Sequence, residues 1–528
     1  MILLKFDKSG CRLQDFTYIQ SMHLMKVKYL LLSVVICALS NLSAQYTNPL
    51  TITFNNSSTL NPSNVFVSIS TGASVNFVNP SAVGTNINWT GGNVYSDPVS
   101  LASLSTGSGL SFTNGVSTIF YVTYGSPLGS LTTAPSPVAT NDPSYNIPWQ
   151  AFELTKDGTA NAVGDLTYIN EFSAPMSITS YASNNALLQT SGFGNNSTAQ
   201  IFNSLANVTG FNINAVLTNG SGQYTRVVAP VSFGNLVGPY DDFHSYITAL
   251  ASSNITTALN NISGFPIGTN INRQTTNFSF NLTNSYTTNG FLIASGNVVA
   301  SNATNTALTN LYSNLTILYS NNNVTNIGAA IYGANYTSAS NTISFIDTTN
   351  YSTSTSWSNL LISMTNGYGN NTTNGSITGS NAYATLLSQM VGEISASIES
   401  GLAGSTNLVT NGAVNGVLGT NLSSAWWTMT NPLTIMSGAQ TNSLYYDAYG
   451  NVIFTNSANS VYNFSYNDRY NNAKPVVFSD VYNGTNVVSW VIGVGAPVST
   501  VPEPATPFLL GLGSLAGVVA LMRSRRKS

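Results

Sequence analysis

Apolar residues alternate with Asn, Thr and Ser along most of the chain between residues 45 and 380. Phe278, Phe280 and Leu282, for example, occupy every second position of one segment. A period of two is typical of half-buried β-strands. Short pairs that favour tight turns separate the segments. Examples are Asn219-Gly220, Asn289-Gly290 and Gly450-Asn451. The pattern predicts a mainly β protein, and no fixed repeat period stands out.

Two segments have the period of amphipathic helices instead. The first, 241–252, begins with two acidic residues that suit a helix N-terminus, and its apolar face consists of Phe243, Tyr246, Ile247 and Leu250. The second, 381–402, has an apolar stripe and ends near glycines that favour a helix stop. The stripe consists of Tyr383, Leu387, Met390, Ile394 and Ile398, and the glycines are Gly401 and Gly404. Many strands with few helices predict a β-sandwich or barrel with a smaller mixed α/β lobe.

The N-terminal region has the three parts of a secretory signal peptide. Two lysines follow Met25, an apolar run covers residues 29–39, and small residues lead up to Ala44. We expect cleavage after Ala44. Residues 1–24 fit no part of such a signal, so the true start is either Met1 or Met25.

The C-terminus also has three parts in a fixed order. Pro502, Glu503 and Pro504 precede an apolar segment at 508–522, and basic residues follow at 523–527. As a helix of ~1.5 Å per residue the apolar segment would span about 22 Å, short of a ~30 Å hydrocarbon core. The basic tail favours the cytoplasmic side. On its own this pattern indicates a short transmembrane anchor.

The order of these three parts resembles the PEP-CTERM sorting signal of Gram-negative bacteria. In that family a membrane transpeptidase, an exosortase, recognises the Pro-Glu-Pro motif and removes the apolar span. The resemblance implies an exported protein that is anchored transiently in the inner membrane by residues 508–522. It would then reside at the cell surface or outside the cell, often together with extracellular polysaccharide.

Charged residues make up only 6% of the chain, against ~25% in typical soluble proteins. Only five of the 14 Lys and Arg residues lie between residues 45 and 500, where 14 of the 17 acidic residues are found. Five scattered cations cannot form the clustered basic face of a nucleic-acid binder. The chain also has no glycine-rich phosphate loop between a strand and a helix. We therefore expect neither nucleic acid nor a nucleotide cofactor.

Cysteine and histidine are nearly absent from the body of the chain. Cys11, Cys37 and His23 all precede residue 45, which leaves His244 alone. This excludes disulfide frameworks, thiol nucleophiles and zinc sites built on Cys or several His, and we expect no metal and no cofactor. A Ser-His-Asp triad would depend on His244, which lies in a predicted helix. Carboxylate acid–base chemistry remains, and it suits glycoside hydrolysis.

The most informative segment is a pair of predicted strands joined by a polar loop. Alternation on the first strand places Phe152 and Leu154 on the core face and Glu153 and Thr155 on the other face. This strand resembles the aromatic-Glu-aromatic-Thr strand of the glycoside hydrolase family 64 β-1,3-glucanases. In that resemblance Glu153 matches the general acid and Thr155 the threonine that follows it.

Further segments resemble parts of the same family in the same order. They are 226–230, 243–246, 426–427, 445–446 and 461–468. The resemblance spans about residues 60–495, with the Asn-rich part near 275–375 matched by no motif. It implies a thaumatin-like β-barrel with a mixed lobe across a wide cleft, and β-1,3-glucan or a related polysaccharide as partner.

The family's general-base aspartate is replaced by Asn170. An amide cannot take a proton from water, so Asn170 would position the water while another carboxylate acts as base. The candidates are Glu171, Asp447 and Asp468. If Ile169 faces the core, Asn170 shares the face of Glu153 and Glu171 does not, so alternation disfavours Glu171.

Two functions remain open at this point. One is a β-1,3-glucanase-type hydrolase with Glu153 and Asn170 at the catalytic centre, and the other is a non-catalytic carbohydrate-binding or matrix protein. Trp426 and Trp427 either pack in the core or form a sugar-stacking platform. The expected substrate contacts are Thr155, Trp426, Trp427 and Asp468. The expected units are an extension with signal peptide at 1–44, the body at 45–500 and the sorting signal at 501–528.

Overall fold

A computed structural model describes the greater part of the body of the chain. The described ranges are 50–70, 98–105, 110–128, 134–156, 163–193, 197–249, 395–402, 435–465 and 478–498, with breaks at 113–114, 211, 234–237, 242 and 480. The backbone alone is described for strands between 254 and 356 and for residues 81–82. The predicted signal peptide, Trp426, Trp427, Asp468 and the sorting segment with Pro502, Glu503 and Pro504 lie outside the described residues.

Two six-stranded sheets pack face to face and form a β-sandwich. Sheet I is ordered β11 (Leu187–Gly192), β10 (Met176–Tyr181), β23 (Ser489–Val494), β1 (Leu50–Asn56), β5 (Leu110–Phe112) and β3 (Ser81–Ala82). Sheet II is ordered β20 (Phe478–Ser479), β8 (Val163–Leu166), β7 (Trp149–Lys156), β6 (Gly115–Tyr124), β2 (Val65–Ser70) and β4 (Val99–Ser100). All neighbours are antiparallel except β1 and β23, which are parallel.

Aromatic rings fill the space between the two sheets. Phe54 of sheet I lies 6.5 Å from Phe152 of sheet II, and Phe120 stacks on Phe152 at 4.5 Å. Trp490 of sheet I meets Phe478 of sheet II at 5.6 Å. Burial of such large rings is the main favourable term in forming the sandwich. The prediction of a mainly β protein is confirmed.

A mixed lobe adjoins the sandwich. It contains a three-stranded sheet of β12 (Val216–Thr218), β13 (Tyr224–Val228) and β9 (Glu171–Phe172). Its helices are α2 (Thr198–Thr209), α3 (His244–Ala249) and α4 (Ala448–Ser457), and its 3₁₀ turns are Pro230–Phe233, Met436–Gly438 and Ser443–Tyr445. A short helix α1 (Leu101–Ser105) and the 3₁₀ turn Pro62–Asn64 lie in the sandwich part of the chain.

The two predicted helices agree with the structure only in part. The predicted helix 241–252 begins only at His244, because Phe243 has φ 60° and Asp241 accepts its N–H in a turn. Of the predicted helix 381–402, residues 395–399 are helical and Gly401, with φ 72°, follows as the expected stop. Residues 381–394 lie outside the described residues.

The helices α2 and α4 were not predicted. Helix α2 has a complete capping box, in which Ser197 and Gln200 each bond the other's backbone N–H. The Gly450-Asn451 pair, read as a turn, lies inside α4. A Cβ on Gly450 would come within 2.7 Å of Asp447 Oδ2, so the glycine allows a close approach rather than a turn.

The Asn-rich region forms an up-and-down meander of its own. Its strands in order are β14 (Asn254–Ile267), β15 (Asn270–Tyr286), β16 (Leu292–Ala300), β17 (Tyr312–Asn321), β18 (Asn341–Asp347) and β19 (Thr355–Ser356). The alternating segment of Phe278, Phe280 and Leu282 lies in β15, as predicted. A small hairpin pairs β21 (Val481–Tyr482) with β22 (Thr485–Asn486). Within the described ranges, no helix is both long and apolar enough to cross a membrane.

Candidate active site on sheet II

Glu153 lies on the outer face of sheet II, near the middle of β7. The neighbouring Phe152 and Leu154 are fully buried between the sheets, whereas Glu153 and Thr155 are half-buried on the opposite face. This is the distribution that strand alternation predicts. The β-sandwich therefore provides a rigid support for Glu153.

The surroundings of Glu153 favour its protonated form. Partial burial raises the pKa of its carboxyl group. A carboxylic acid that stays protonated near neutral pH can donate a proton to a leaving group. The pKa of Glu153 is therefore shifted in the direction that a general acid requires.

The strand register brings a second carboxylate next to Glu153. Asp165 on β8 lies directly opposite Glu153, and Val163 lies opposite Thr155. On the other side, Ile119 of β6 lies opposite Glu153. Side chains directly opposite in an antiparallel pair share a face, with Cβ atoms about 4.5–5.5 Å apart. Sequence reasoning missed Asp165, because its position depends on the register between β7 and β8, which the sequence pattern alone does not fix.

An apolar cluster covers part of the outer face of sheet II, next to Glu153. Tyr121, Leu128, Trp149 and Ala151 form a buried apolar cluster against which Ile119 packs. Beyond it Glu153 and Asp165 are half-buried, and Val163 is 42% exposed. The two carboxylates thus lie beside this cluster and are partly exposed to solvent among the described residues.

Arg226 of β13 fixes the loop before β7 and contacts Trp149 of the apolar cluster. Its Nη2 donates to the carbonyl oxygens of Ser144, Tyr145 and Ile147 at 2.8, 3.1 and 2.7 Å. Its guanidinium lies 5.1 Å from the centre of the Trp149 ring. One buried side chain therefore joins the lobe, the loop before β7 and the first residue of β7.

Asn170 lies at the junction of sheet II and the lobe. Its backbone carbonyl accepts from the N–H of Ala229 at 2.9 Å and from Ser232 Oγ at 2.8 Å. Its side chain is exposed, and Ile169 is only half-buried because the chain bends here between β8 and β9. The condition of a strand that continues through Ile169 with this side chain in the core is therefore not met.

Two of the carboxylates considered as bases are buried away from solvent. Glu171 is 2% exposed, and burial raises its pKa to about 8 although Arg226 opposes the shift. Asp447, at the start of α4, is also 2% exposed, and burial raises its pKa to about 7. Neither carboxylate is accessible to a polysaccharide. This agrees with the alternation argument against Glu171, and it argues against Asp447 as the base.

The domain that contains this site matches a known family. Residues 48–285 match the model of the β-1,3-glucanases of glycoside hydrolase family 64, and residues 500–526 match the PEP-CTERM protein-sorting motif. The chain carries a glycoside hydrolase family 64 domain and a PEP-CTERM sorting motif. The matched range of the family 64 domain includes Glu153, Thr155, Asp165 and Asn170, and it ends within β15.

Solved structures of family 64 enzymes also resemble the chain. A laminaripentaose-producing β-1,3-glucanase in complex with laminaritetraose is 14% identical, with 85% of this chain and 99% of that chain covered and a TM-score of 0.46. A β-1,3-glucanase domain from Clostridium beijerinckii is 12% identical, with 85% and 98% covered and a TM-score of 0.43. The Paenibacillus barengoltzii enzyme complexed with laminarihexaose is 9% identical, with 85% and 75% covered and a TM-score of 0.38. No curated protein matches the chain.

Proposed function

We propose that the protein is an exported glycoside hydrolase that cleaves β-1,3-glucan or a related polysaccharide. The observation that carries this proposal is the half-buried Glu153, whose pKa burial raises, on the outer face of the family 64 domain. Glu153 donates a proton to the leaving oxygen, while Asn170 helps to position the attacking water. The residues proposed to contact the sugar are Thr155, Trp426, Trp427 and Asp468. No cofactor takes part.

A second candidate function is carbohydrate binding without hydrolysis. It is favoured by Asn170, because an asparagine at the family's base position cannot accept a proton. In this case the chain would be a surface or matrix protein that keeps the polysaccharide-binding cleft of a thaumatin-like fold.

One assay separates the two functions. The full-length chain is incubated with a soluble β-1,3-glucan, and the release of reducing ends is measured beside the Glu153→Gln variant. A pull-down on insoluble β-1,3-glucan is run in parallel. Hydrolysis that is lost in Glu153→Gln supports the enzyme, whereas binding without hydrolysis supports the second function. Neither binding nor hydrolysis would contradict both.

Sorting by the PEP-CTERM motif is proposed to follow export. The signal peptide ends at Ala44, the body covers 45–500, and residues 508–522 anchor the chain transiently in the inner membrane. An exosortase then recognises Pro502, Glu503 and Pro504 and removes the span, which leaves the protein at the cell surface or outside the cell. A Glu503→Ala variant should keep its C-terminal segment on a blot. Unchanged processing of that variant would contradict exosortase recognition.

A further inference from the structure

The missing general base can be sought among the carboxylates near Glu153. Hydrolysis that inverts the anomeric configuration needs one ionised carboxylate to take a proton from water, opposite the acid that protonates the leaving oxygen. Asn170 cannot do this. A substitute must be accessible to solvent and must lie near Glu153.

The other acidic side chains of the described residues fail one of these tests. Glu171, Glu399 and Asp447 are at most 2% exposed. Asp142 lies in the loop before β7 and not on the strand face of Glu153, and there it accepts from the backbone N–H groups of Ser136 and Ser144 at 3.0 and 2.8 Å. Asp241 accepts from the N–H of Phe243 at 2.8 Å in the lobe. Among the acidic residues that the structure describes, Asp165 alone shares a sheet face with Glu153.

The position of Asp165 is fixed by tight packing of the preceding residue. Gly164 faces the interior, where an added Cβ would collide with the Trp490 ring and would come within 2.7 Å of the Glu153 carbonyl oxygen. Strand β8 can therefore lie against β7 and Trp490 only with glycine here. This close approach holds Asp165 in register with Glu153.

We propose that Asp165 is the general base of the reaction for which Glu153 is the acid. The assignment rests on the proposed hydrolysis of a β-linked glucan. Asp165 removes a proton from a water molecule whose oxygen forms a bond to the anomeric carbon. The glycosidic C–O bond breaks, and its electron pair passes to the leaving oxygen, which takes the proton of Glu153. Glu153 ends ionised and Asp165 protonated, and exchange with solvent restores both.

This step requires the two carboxyl groups to lie further apart than their Cβ atoms. Opposite Cβ atoms lie about 4.5–5.5 Å apart, and Glu carries one more methylene than Asp, so the carboxyl groups can separate further than the Cβ atoms. Inverting enzymes hold the two carboxyl groups about 6.5–9.5 Å apart, which leaves room for the water. The product should accordingly have the α configuration.

The test compares three full-length variants on soluble β-1,3-glucan. Asp165→Asn and Glu153→Gln should each lower kcat by about 10²- to 10⁴-fold, the usual contribution of an acid or base. Asp241→Asn is the matched control, because it removes the same charge in the lobe while its side-chain oxygen can still accept from Phe243; its kcat should not change. The acid limb of the kcat/KM profile should disappear in Asp165→Asn, because that limb reports the ionisation of the base.

Chemical rescue separates a base from a structural residue. Azide attacks without deprotonation, so it should restore turnover to Asp165→Ala and give a glycosyl azide by mass spectrometry, and it should not rescue Glu153→Gln. A folded Asp165→Asn with unchanged kcat, absence of rescue, or a β product from the original chain would each overturn the base assignment while leaving hydrolysis standing. An original chain that binds glucan but does not hydrolyse it would overturn the proposed enzyme as well.

Discussion

The acidic residues of the molecule fall into two environments with opposite consequences. On the outer face of sheet II, Glu153 and Asp165 are half-buried beside each other on adjacent strands. In and around the lobe, Glu171, Glu399 and Asp447 are almost completely buried. The two environments differ in access to solvent. Only the half-buried carboxylates of sheet II are placed to act on a polymer, and closeness to Glu153 in the sequence does not predict which residues these are.

The buried cation Arg226 and the buried acid Glu171 have side-chain atoms that make no hydrogen bond within the described part of the chain. Arg226 uses Nη2 for three carbonyl oxygens, while its Nε and Nη1 and the Glu171 Oε2 have no hydrogen-bond partner among the described residues. Burial lowers the pKa of Arg226 to about 10, although Glu171 opposes this shift. Both groups are thus kept in the interior at an electrostatic cost that the surrounding packing must offset.

The largest effect on stability should follow from replacing Arg226, the buried cation near Glu171. Arg226→Met deletes the bonds to the carbonyl oxygens of Ser144, Tyr145 and Ile147 and leaves these acceptors without their donor. We expect a loss of about 3–5 kcal/mol in the free energy of unfolding, as is usual when one partner of a buried charged network is removed. Urea denaturation of the two proteins measures this. A loss below about 1 kcal/mol would show that Arg226 does not hold the loop.

The second effect is a dependence of stability on pH that originates in the buried acids. The folded-state pKa of Glu171 is about 8, above the ordinary value of 4.5. The fold therefore favours the protonated form, so this contribution is complete below about pH 4 and is lost as the pH rises to about 8. Asp447, with a pKa of about 7, acts in the same direction.

The chain should therefore be more stable at pH 5 than at pH 8, with a contribution from Glu171 on the order of 3 kcal/mol. Urea denaturation at the two pH values measures the difference. Glu171→Gln should reduce it, because the amide does not titrate, and Asp241→Asn serves as the control outside the buried group. A wild-type stability that rises from pH 5 to pH 8 would mean that other groups dominate.

Periodicity anticipated the strands more completely than the site. The faces of Phe152, Glu153, Leu154 and Thr155 followed from alternation alone, because a strand buried on one side allows no other arrangement. The pairing of Glu153 with Asp165 could not be predicted in this way, since the register between β7 and β8 depends on tertiary packing around Gly164. The bend at Ile169 was missed for the same reason.

The helices illustrate the same limit. Helix α2 has a capping box beginning at Ser197, so a local signal was present in the sequence and was overlooked. Helix α4 contains Gly450-Asn451, whose local preference is a turn, and tertiary packing against Asp447 and Met436 overrides it. Local signals predict an element only where packing agrees with them.

A third prediction tests how tightly Asp165 is positioned relative to Glu153. Gly164→Ala places a methyl group against Trp490 and the Glu153 carbonyl, so β8 must shift and carry Asp165 with it. Overpacking of this kind costs about 1–3 kcal/mol. We expect kcat to fall further than the loss of stability at the assay temperature would explain, because a small displacement of a catalytic group lowers the rate strongly.

Gly220→Ala is the matched control for that variant. An added Cβ at Gly220 meets nothing within 4 Å. Stability by urea denaturation and kcat on soluble β-1,3-glucan are measured for both alanine variants. Equal kcat values for the two variants would indicate that β8 does not position Asp165.

The smallest expected effect is the gain in the free energy of unfolding when Glu153 is replaced. Burial raises the pKa of Glu153, so at neutral pH its ionised form is less favourable in the folded chain than in the unfolded chain. Glu153→Gln removes that penalty and should raise the free energy of unfolding by up to about 1 kcal/mol at pH 7, as is common when an active-site residue is replaced. At pH 4, where the carboxyl is largely protonated in both states, the two proteins should be equally stable. Thermal denaturation at the two pH values measures the difference. A Glu153→Gln variant that is clearly less stable than the original chain at pH 7 would show that the Glu153 carboxyl group stabilises the fold, and would remove the reason for treating Glu153 as a site residue rather than a structural one.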